Sequence, residues 1–139
     1  MTRDETVGFS AEDPEMVAAI REAKHSFAQF LHAFLSPSEN QKNFLVKAAF
    51  VEAEQVEHIW IADLDFSGPK PRGVIANEPQ LSSLKYMHPV EFDPAQITDW
   101  MYIENGYLVG GYTTCLIRQR MTPEERQTYD FKAPYKFRD

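Results

Sequence analysis

A single hairpin signal restricts the fold of this chain more than any other feature of its sequence. Asn105 and Gly106 lie between two mostly apolar, aromatic and β-branched runs, 99–104 and 107–113. A two-residue type I′ turn needs positive φ at both central positions, and Asn-Gly is the pair that supplies it most readily. The two runs are therefore predicted to form an antiparallel hairpin whose register is fixed by its short turn.

That register places glycines opposite the largest side chains of the first strand. Met101 is paired with Gly110, and Trp100 is paired with Gly111. An indole can lie across backbone that carries no Cβ, so Trp100 is expected to cover Gly111. Both faces of the hairpin are apolar, so each must be covered, or one must remain open as a groove.

The chain has the size and composition of one globular domain. Its 139 residues are 43% hydrophobic and 13% aromatic, enough to fill a core, and a single domain over 1–139 is predicted. The lone Cys115 cannot form an internal disulfide, and no apolar run reaches the length of a signal sequence or membrane span. A cytoplasmic protein without membrane contact is expected. The net charge of −7 and the scattered basic residues argue against binding to nucleic acid.

A long helix is predicted near the N-terminus. Residues 1–9 show no periodicity and are expected to fray, whereas 10–36 carry an apolar stripe at spacings of three and four. Asp13 is a candidate N-cap, Pro14 suits the first helical position, and Pro37 ends the helix. The stripe consists of Met16, Ile20, Ala23, Phe27, Phe30, Leu31 and Phe34.

The rest of the chain predicts a sheet and a second helix. The segment 43–118 is predicted to form a curved antiparallel sheet of about five strands, with Cys115 inside the last one. A capping box at Thr122 predicts a short helix over 122–128, and the aromatic tail, 129–139, is expected to fold back onto the body. The predicted fold class is α+β, with the long helix packed on a small, partly open, barrel-like sheet.

His58, Asp63 and Asp99 are the polar groups of catalytic type that lie in predicted apolar strands, and His58 and Asp99 are the candidates for catalysis. His58 can act as a general base near neutral pH, or it can be hydrogen-bonded within the sheet beside Trp60. Asp99 can orient that histidine, or it can cap the turn that precedes its strand. If the protein is an enzyme, we expect His58 and Asp99 to carry the reaction.

The sequence shows no pattern typical of a metal, nucleotide or cofactor site. His25 and His32 are two helical turns apart, too far to share a metal ion. Gly110 and Gly111 are not expected to open a helix, as a phosphate-binding loop does. Cys115 is interpreted as a small buried hydrophobe. Neither a metal nor a cofactor is therefore expected.

Aromatic residues are the candidates for a binding surface. Trp60, Trp100, Tyr102 and Tyr112 can form an aromatic floor for a ligand or a peptide. The same four side chains can instead fill the core, because aromatic residues dominate the cores of small sheets.

The order of several segments resembles a known bacterial family. It is similar to that of the YegJ-like family of bacterial domains of unknown function, and the likeness runs from about residue 14 to residue 120. The resemblance implies a small bacterial α+β domain with no established catalytic residues. The segments that carry it are 57–60, 73–79, 97–102 and 106–111.

Two positions within this resemblance affect the site prediction. Asn77 lies in the second matching segment and is added to the candidate binding residues. Cys115 follows Thr114 where the family often has an arginine, and the next basic residue is Arg118, so no role of that arginine is carried over.

These observations favour a non-catalytic function. The leading hypothesis is a regulatory or immunity-like module that binds a protein or a small molecule through its apolar ribbon. The alternative is a small hydrolase that uses His58 and Asp99. The two are distinguished by whether these side chains meet in an open cleft.

Overall fold

The structure, a computed structural model, describes residues 13–138. The predicted α+β fold class is confirmed, and the expected fraying of residues 1–9 falls outside the described part of the chain. In order, the elements are α1 (Pro14–His25), α2 (Phe27–Leu35), β1 (Gln41–Glu52), β2 (Gln55–Asp65), β3 (Arg72–Ile75), β4 (Pro89–Glu91), a 3₁₀ helix (Pro94–Gln96), β5 (Ile97–Glu104), β6 (Tyr107–Gly110), α3 (Tyr112–Gln119) and α4 (Pro123–Lys132).

The strands form one open sheet. Their order is β4-β3-β2-β1-β5-β6, and each neighbouring pair is antiparallel. The sheet has six strands, where about five were predicted, and it is not closed, because its edge strands β4 and β6 do not pair with each other. β4 is three residues long and begins at Pro89. A proline is tolerated there because the strand lies at an edge, where a missing N–H breaks no central ladder.

The N-terminal helix is interrupted at Ser26, so the described part of the span predicted as one helix consists of α1 and α2, and residues 10–12 of that span lie outside the described residues. Ser26 has φ −98° and ψ 8°, and its hydroxyl donates to the Glu22 carbonyl at 2.7 Å. A hydroxyl bonded to the preceding turn competes with the backbone ladder and bends a helix. The start of α1 is as predicted, because Asp13 accepts a hydrogen bond from the N–H of Met16 at 3.2 Å.

Both faces of the sheet are covered. We call the face under α1 and α2 the helix face, and the face under α3 and residues 133–138 the tail face. The buried core of the helix face contains Ala23, Phe30, Ala33, Val46, Ala48, Ile61, Phe92, Ile97, Trp100 and Tyr102. On the tail face, Met101, Ile103 and Leu108 are buried, and they are packed against Leu45, Trp60, Cys115, Tyr135 and Phe137.

The hairpin between β5 and β6 has the predicted register, with one difference. The turn residues Asn105 and Gly106 have φ values of 54° and 84°, as a type I′ turn requires. The ring of Trp100 lies against Gly110 and not against Gly111, since a Cβ on Gly110 would be 2.5 Å from Trp100 Cε3. β6 ends at Gly110, and Gly111 leaves the sheet.

The strand predicted to continue to residue 118 is a helix instead. Gly110 and Gly111 have φ values of 80° and 64°, and two successive left-handed residues turn the chain out of the sheet. Tyr112 then begins α3. Cys115 therefore lies in a helix, which corrects its placement in a strand, and the glycine pair does open a helix, contrary to expectation.

The C-terminal part follows the prediction more closely. Thr122 accepts a hydrogen bond from the N–H of Glu125 at 3.1 Å, and Glu125 accepts one from the N–H of Thr122 at 2.9 Å, completing the capping box of α4. The helix extends to Lys132 and is longer than predicted. Beyond it the tail folds back, as predicted, and Lys136 bridges to Tyr107 at the edge of β6.

The packing at Gly110 generates a prediction. Gly110→Ala should lower the free energy of unfolding by about 2 kcal/mol or more, because the new Cβ would overlap the Trp100 ring at a strained positive φ. Gly106→Ala is the matched control, with φ +84° but nothing within 4 Å of the added Cβ, and should cost only about 1 kcal/mol. Urea denaturation of both variants measures the difference. Equal losses would contradict the packing of Trp100 on Gly110.

Candidate functional site

Asp99 lies at the centre of a buried polar cluster on the tail face. Its side chain is fully buried, and its carboxylate accepts four hydrogen bonds. Oδ1 accepts from the N–H groups of Trp100 (2.8 Å) and Tyr112 (3.1 Å). Oδ2 accepts from the N–H (2.9 Å) and the hydroxyl of Thr113. Tyr112 and Thr113 begin α3, so Asp99 caps this helix from a neighbouring strand.

Lys47 joins this cluster from β1. It is opposite Asp99 in the register, and its Nζ donates to the Thr113 hydroxyl at 2.7 Å. Its ammonium also lies 4.9 Å from the centre of the Trp60 ring. Burial lowers the pKa of Lys47 and raises the pKa of Asp99, and the charge of each group opposes the shift of the other. The Thr113 hydroxyl links the two charges by accepting from one and donating to the other.

His58, on β2, forms a hydrogen bond outside the Asp99 cluster. Its Nδ1 is 2.9 Å from the hydroxyl oxygen of Thr98. Burial, followed by the positive charges of Lys47 and Lys24, lowers the pKa of His58 from 6.5 to about 4, so the imidazole is neutral at pH 7. The structure does not join His58 to Asp99, whose four hydrogen bonds come from backbone and hydroxyl donors. Asp99 also does not cap the preceding turn; it caps the helix that follows the hairpin.

A cavity of about 650 Å³ opens where β1 and β2 separate. The ladder between these strands ends at the pair formed by Val46 and Ile61, although both strands continue. Beyond that pair, β1 has a register shift against β5, and β2 has one against β3. Asn43 lies in the first shift with a φ of 58°, and Asp63 lies in the second with a φ of 49°. Such irregularities bend strands away from each other, which produces the opening.

The walls of the cavity are mainly apolar and aromatic. They come from both strands, from β5 and from the C-terminal part of the chain. The apolar and aromatic residues include Phe34, Phe44, Leu45, Trp60, Met101, Ile103, Tyr129 and Tyr135. The polar side chains are fewer and include Asn43, Asp63, Asn77 and Thr114.

The structure divides the five predicted binding residues between two places. Trp60 and Asn77 line the cavity, and the Asn77 side chain also accepts a hydrogen bond from the N–H of Trp60 at 2.7 Å. Trp100 and Tyr102 are only 1% and 3% exposed in the core of the helix face. Tyr112 contacts Trp100 edge to face at 5.7 Å. The aromatic floor therefore does not form as one surface.

Sequence reasoning noted Asp63 as a polar group in an apolar strand, but it missed Asn43 and the cavity beside the two residues. Asn and Asp are the residues other than glycine that adopt positive φ most readily, as Asn43 does in β1 and Asp63 does in β2. An Asn or Asp within a strand was the available signal for these irregularities. It does not reveal that the two positions come to lie beside the same cavity.

The described residues contain no evident metal centre. Within 13–138, no three His, Cys, Asp or Glu side chains are grouped so that they could hold a metal ion. No helix in that part of the chain is both long enough and apolar enough to cross a membrane. The N-terminal amides of α3, which an anion could have bound, are occupied by the Asp99 carboxylate.

Comparison with known proteins identifies the family. Residues 13–137 match the model of a family described as "Uncharacterized protein conserved in bacteria (DUF2314)". The chain belongs to this family. Membership in DUF2314 confirms the resemblance to YegJ-like domains and the bacterial affiliation, and the family description assigns no activity.

Two known proteins are similar to this DUF2314 chain. The uncharacterized protein YegJ of Escherichia coli K12 is 28% identical over 119 residues, which cover 78% of this chain and 76% of YegJ. A putative ankyrin repeat protein of Neisseria meningitidis serogroup B is 37% identical over 91 residues, 62% of this chain. The chain spans only 36% of the length of that relative. No solved structure matches the chain.

The buried imidazole makes stability depend on pH. The pKa of His58 in the folded protein, about 4, is below its ordinary value of 6.5, so the unfolded state takes up the proton first as the pH falls. The free energy of unfolding therefore decreases as the pH falls from 6.5 to about 4. The variant His58→Gln can still hydrogen-bond to Thr98. Between pH 7 and pH 4.5, its free energy of unfolding should decrease by about 2 kcal/mol less than that of wild type.

Urea denaturation at both pH values provides this measurement. His32→Gln, at an exposed position of α2, is the control and should keep the wild-type pH dependence. If the free energy of unfolding decreases equally in wild type and His58→Gln, the account of a neutral, buried histidine is contradicted.

Proposed function

We propose that this domain is a non-catalytic binding module whose site is the cavity between β1 and β2. The observation that carries the proposal is the cavity itself, about 650 Å³ with mainly apolar and aromatic walls. Cavities of roughly 300–1,000 Å³ with such walls and a few polar groups are typical of sites that bind small ligands or a side chain of a partner.

The polar cluster supports this proposal over a hydrolase. A general base must be able to take a proton from substrate, whereas burial lowers the pKa of His58 to about 4. The Asp99 carboxylate already accepts hydrogen bonds from the N–H groups of Trp100, Tyr112 and Thr113 and from the Thr113 hydroxyl. These four donors leave it no lone pair to orient an imidazole. Both groups act as parts of the scaffold.

The name of one relative favours a protein partner. The Neisseria protein is named as a putative ankyrin repeat protein, and stacked ankyrin repeats form extended binding surfaces. A domain in the same protein as such repeats is suited to contact the partner that the repeats bind. We therefore propose that the physiological occupant is presented by a protein, with a regulatory or immunity-like role.

Two general expectations belong to the same proposal. The chain acts as one domain, because the tail returns to the edge of β6 and contributes Tyr135 to the cavity wall. Its compartment is the cytoplasm, since a single cysteine offers no disulfide that an oxidising compartment would favour.

Methionine methyl NMR tests whether the cavity binds an apolar group. Met101 lines the cavity, whereas Met16 is buried in α1 outside the cavity wall and serves as an internal control. Titration with indole at millimolar concentration should shift the Met101 methyl signal and leave the Met16 signal in place. Ala62→Phe, which places a ring in the cavity wall, should weaken indole binding at least tenfold. The same substitution at the exposed Ala28 should not.

Two results would contradict the proposal. One is an unchanged Met101 signal in wild type at the highest indole concentration. The other is equal binding by wild type and Ala62→Phe, which would place the indole outside the cavity.

A further inference from the structure

We propose that the cavity is selective for organic cations, which carry an ammonium or guanidinium group on an apolar body. This inference rests on the proposed function and adds to it the chemical class of the occupant. It depends on two features of the wall: the number of aromatic rings and the position of one carboxylate.

Aromatic rings supply the first part of the recognition. Five of the lining residues are aromatic, and the negative face of an aromatic ring attracts a cation that is partly removed from water. The rings come from α2, β1, β2, α4 and the tail, so they surround the space from several sides. They are Phe34, Phe44, Trp60, Tyr129 and Tyr135.

Asp63 supplies the second part. It is the only charged side chain among the described residues that line the cavity. Within 13–138 its carboxylate takes part in no hydrogen bond or ion pair, so it is available to a ligand. Asp65, two residues later, is instead engaged by the N–H and hydroxyl of Ser67 and lies 4.0 Å from Arg72.

Two basic side chains lie near the cavity, and each has an acidic neighbour. The Lys47 ammonium lies over the Trp60 ring, and Asp99, opposite Lys47 in the register, offsets part of its charge. Arg72 and Asp63 both line a second pocket, and the Arg72 guanidinium lies 4.0 Å from the carboxylate of Asp65. The chain as a whole carries a net charge of −7, which attracts cations at long range.

A matched pair of ligands tests this selectivity. 4-Phenylbutylamine, protonated at pH 7, and 4-phenylbutan-1-ol share one carbon skeleton and differ in charge. Followed at the Met101 methyl signal, the amine should bind wild type about tenfold more tightly than the alcohol. This advantage should shrink in 0.5 M NaCl, because salt screens the carboxylate at the rim.

Two variants connect the selectivity to one carboxylate. Asp63→Asn should reduce the preference for the amine at least threefold, and asparagine suits the positive φ of this position, so the fold is kept. Asp65→Asn is the matched control and should retain the wild-type preference.

The outcomes separate this inference from the proposed function. Equal affinity for amine and alcohol, or an unchanged preference in Asp63→Asn, would overturn cation selectivity while leaving a cavity that binds apolar groups. Absence of binding by both compounds would overturn cation selectivity, and it would overturn the proposed function as well only if indole also fails to shift the Met101 signal.

A further arm identifies the source of the cation. The peptide acetyl-Leu-Arg-Leu-amide should also shift the Met101 signal if the group is presented by a partner protein. Binding of the amine alone would support a free small molecule as the cationic occupant.

Discussion

The carboxylate of Asp99 is the constraint on which the tail face depends. A buried carboxylate is stable only when hydrogen-bond donors replace the water that it has lost. Leaving a buried charge without its partners lowers the free energy of unfolding by about 3–5 kcal/mol. Here the donors are the amides at the start of α3, which would otherwise have no partner. The helix and the carboxylate therefore require each other. Their contact also places Thr113 where it receives Lys47, and it fixes the course of the chain toward the tail that covers the cavity.

Local signals predicted much of the fold because their determinants are a few residues apart. The Asn105-Gly106 turn, the cap at Asp13 and the capping box at Thr122 act within one turn of their targets. α3 could not be predicted in this way. Residues 112–117 are rich in aromatic and β-branched types, which favour a strand. The group that stabilises them as a helix, Asp99, lies on the preceding strand of the hairpin.

The candidate site was predicted only in part, for a similar reason. His58 and Asp99 are residue types that catalysis and a satisfied buried network both use, so their identity could not separate the two. Of the four residues predicted to form an aromatic floor, Trp60 lines the cavity, whereas Trp100 and Tyr102 are buried in the core of the helix face. The cavity itself depends on irregularities at Asn43 and Asp63, whose effect is visible only when the two strands lie side by side.

Native-state amide hydrogen exchange at Tyr112 and Thr113 tests this account most directly. First-turn amides of a helix usually exchange rapidly, because they have no partner within the helix. If Asp99 holds them, both amides should exchange only through openings whose free energy approaches that of global unfolding. The amide of Glu124, in the exposed first turn of α4, serves as the reference for rapid exchange. Exchange of Tyr112 and Thr113 as fast as that of Glu124 would contradict the account.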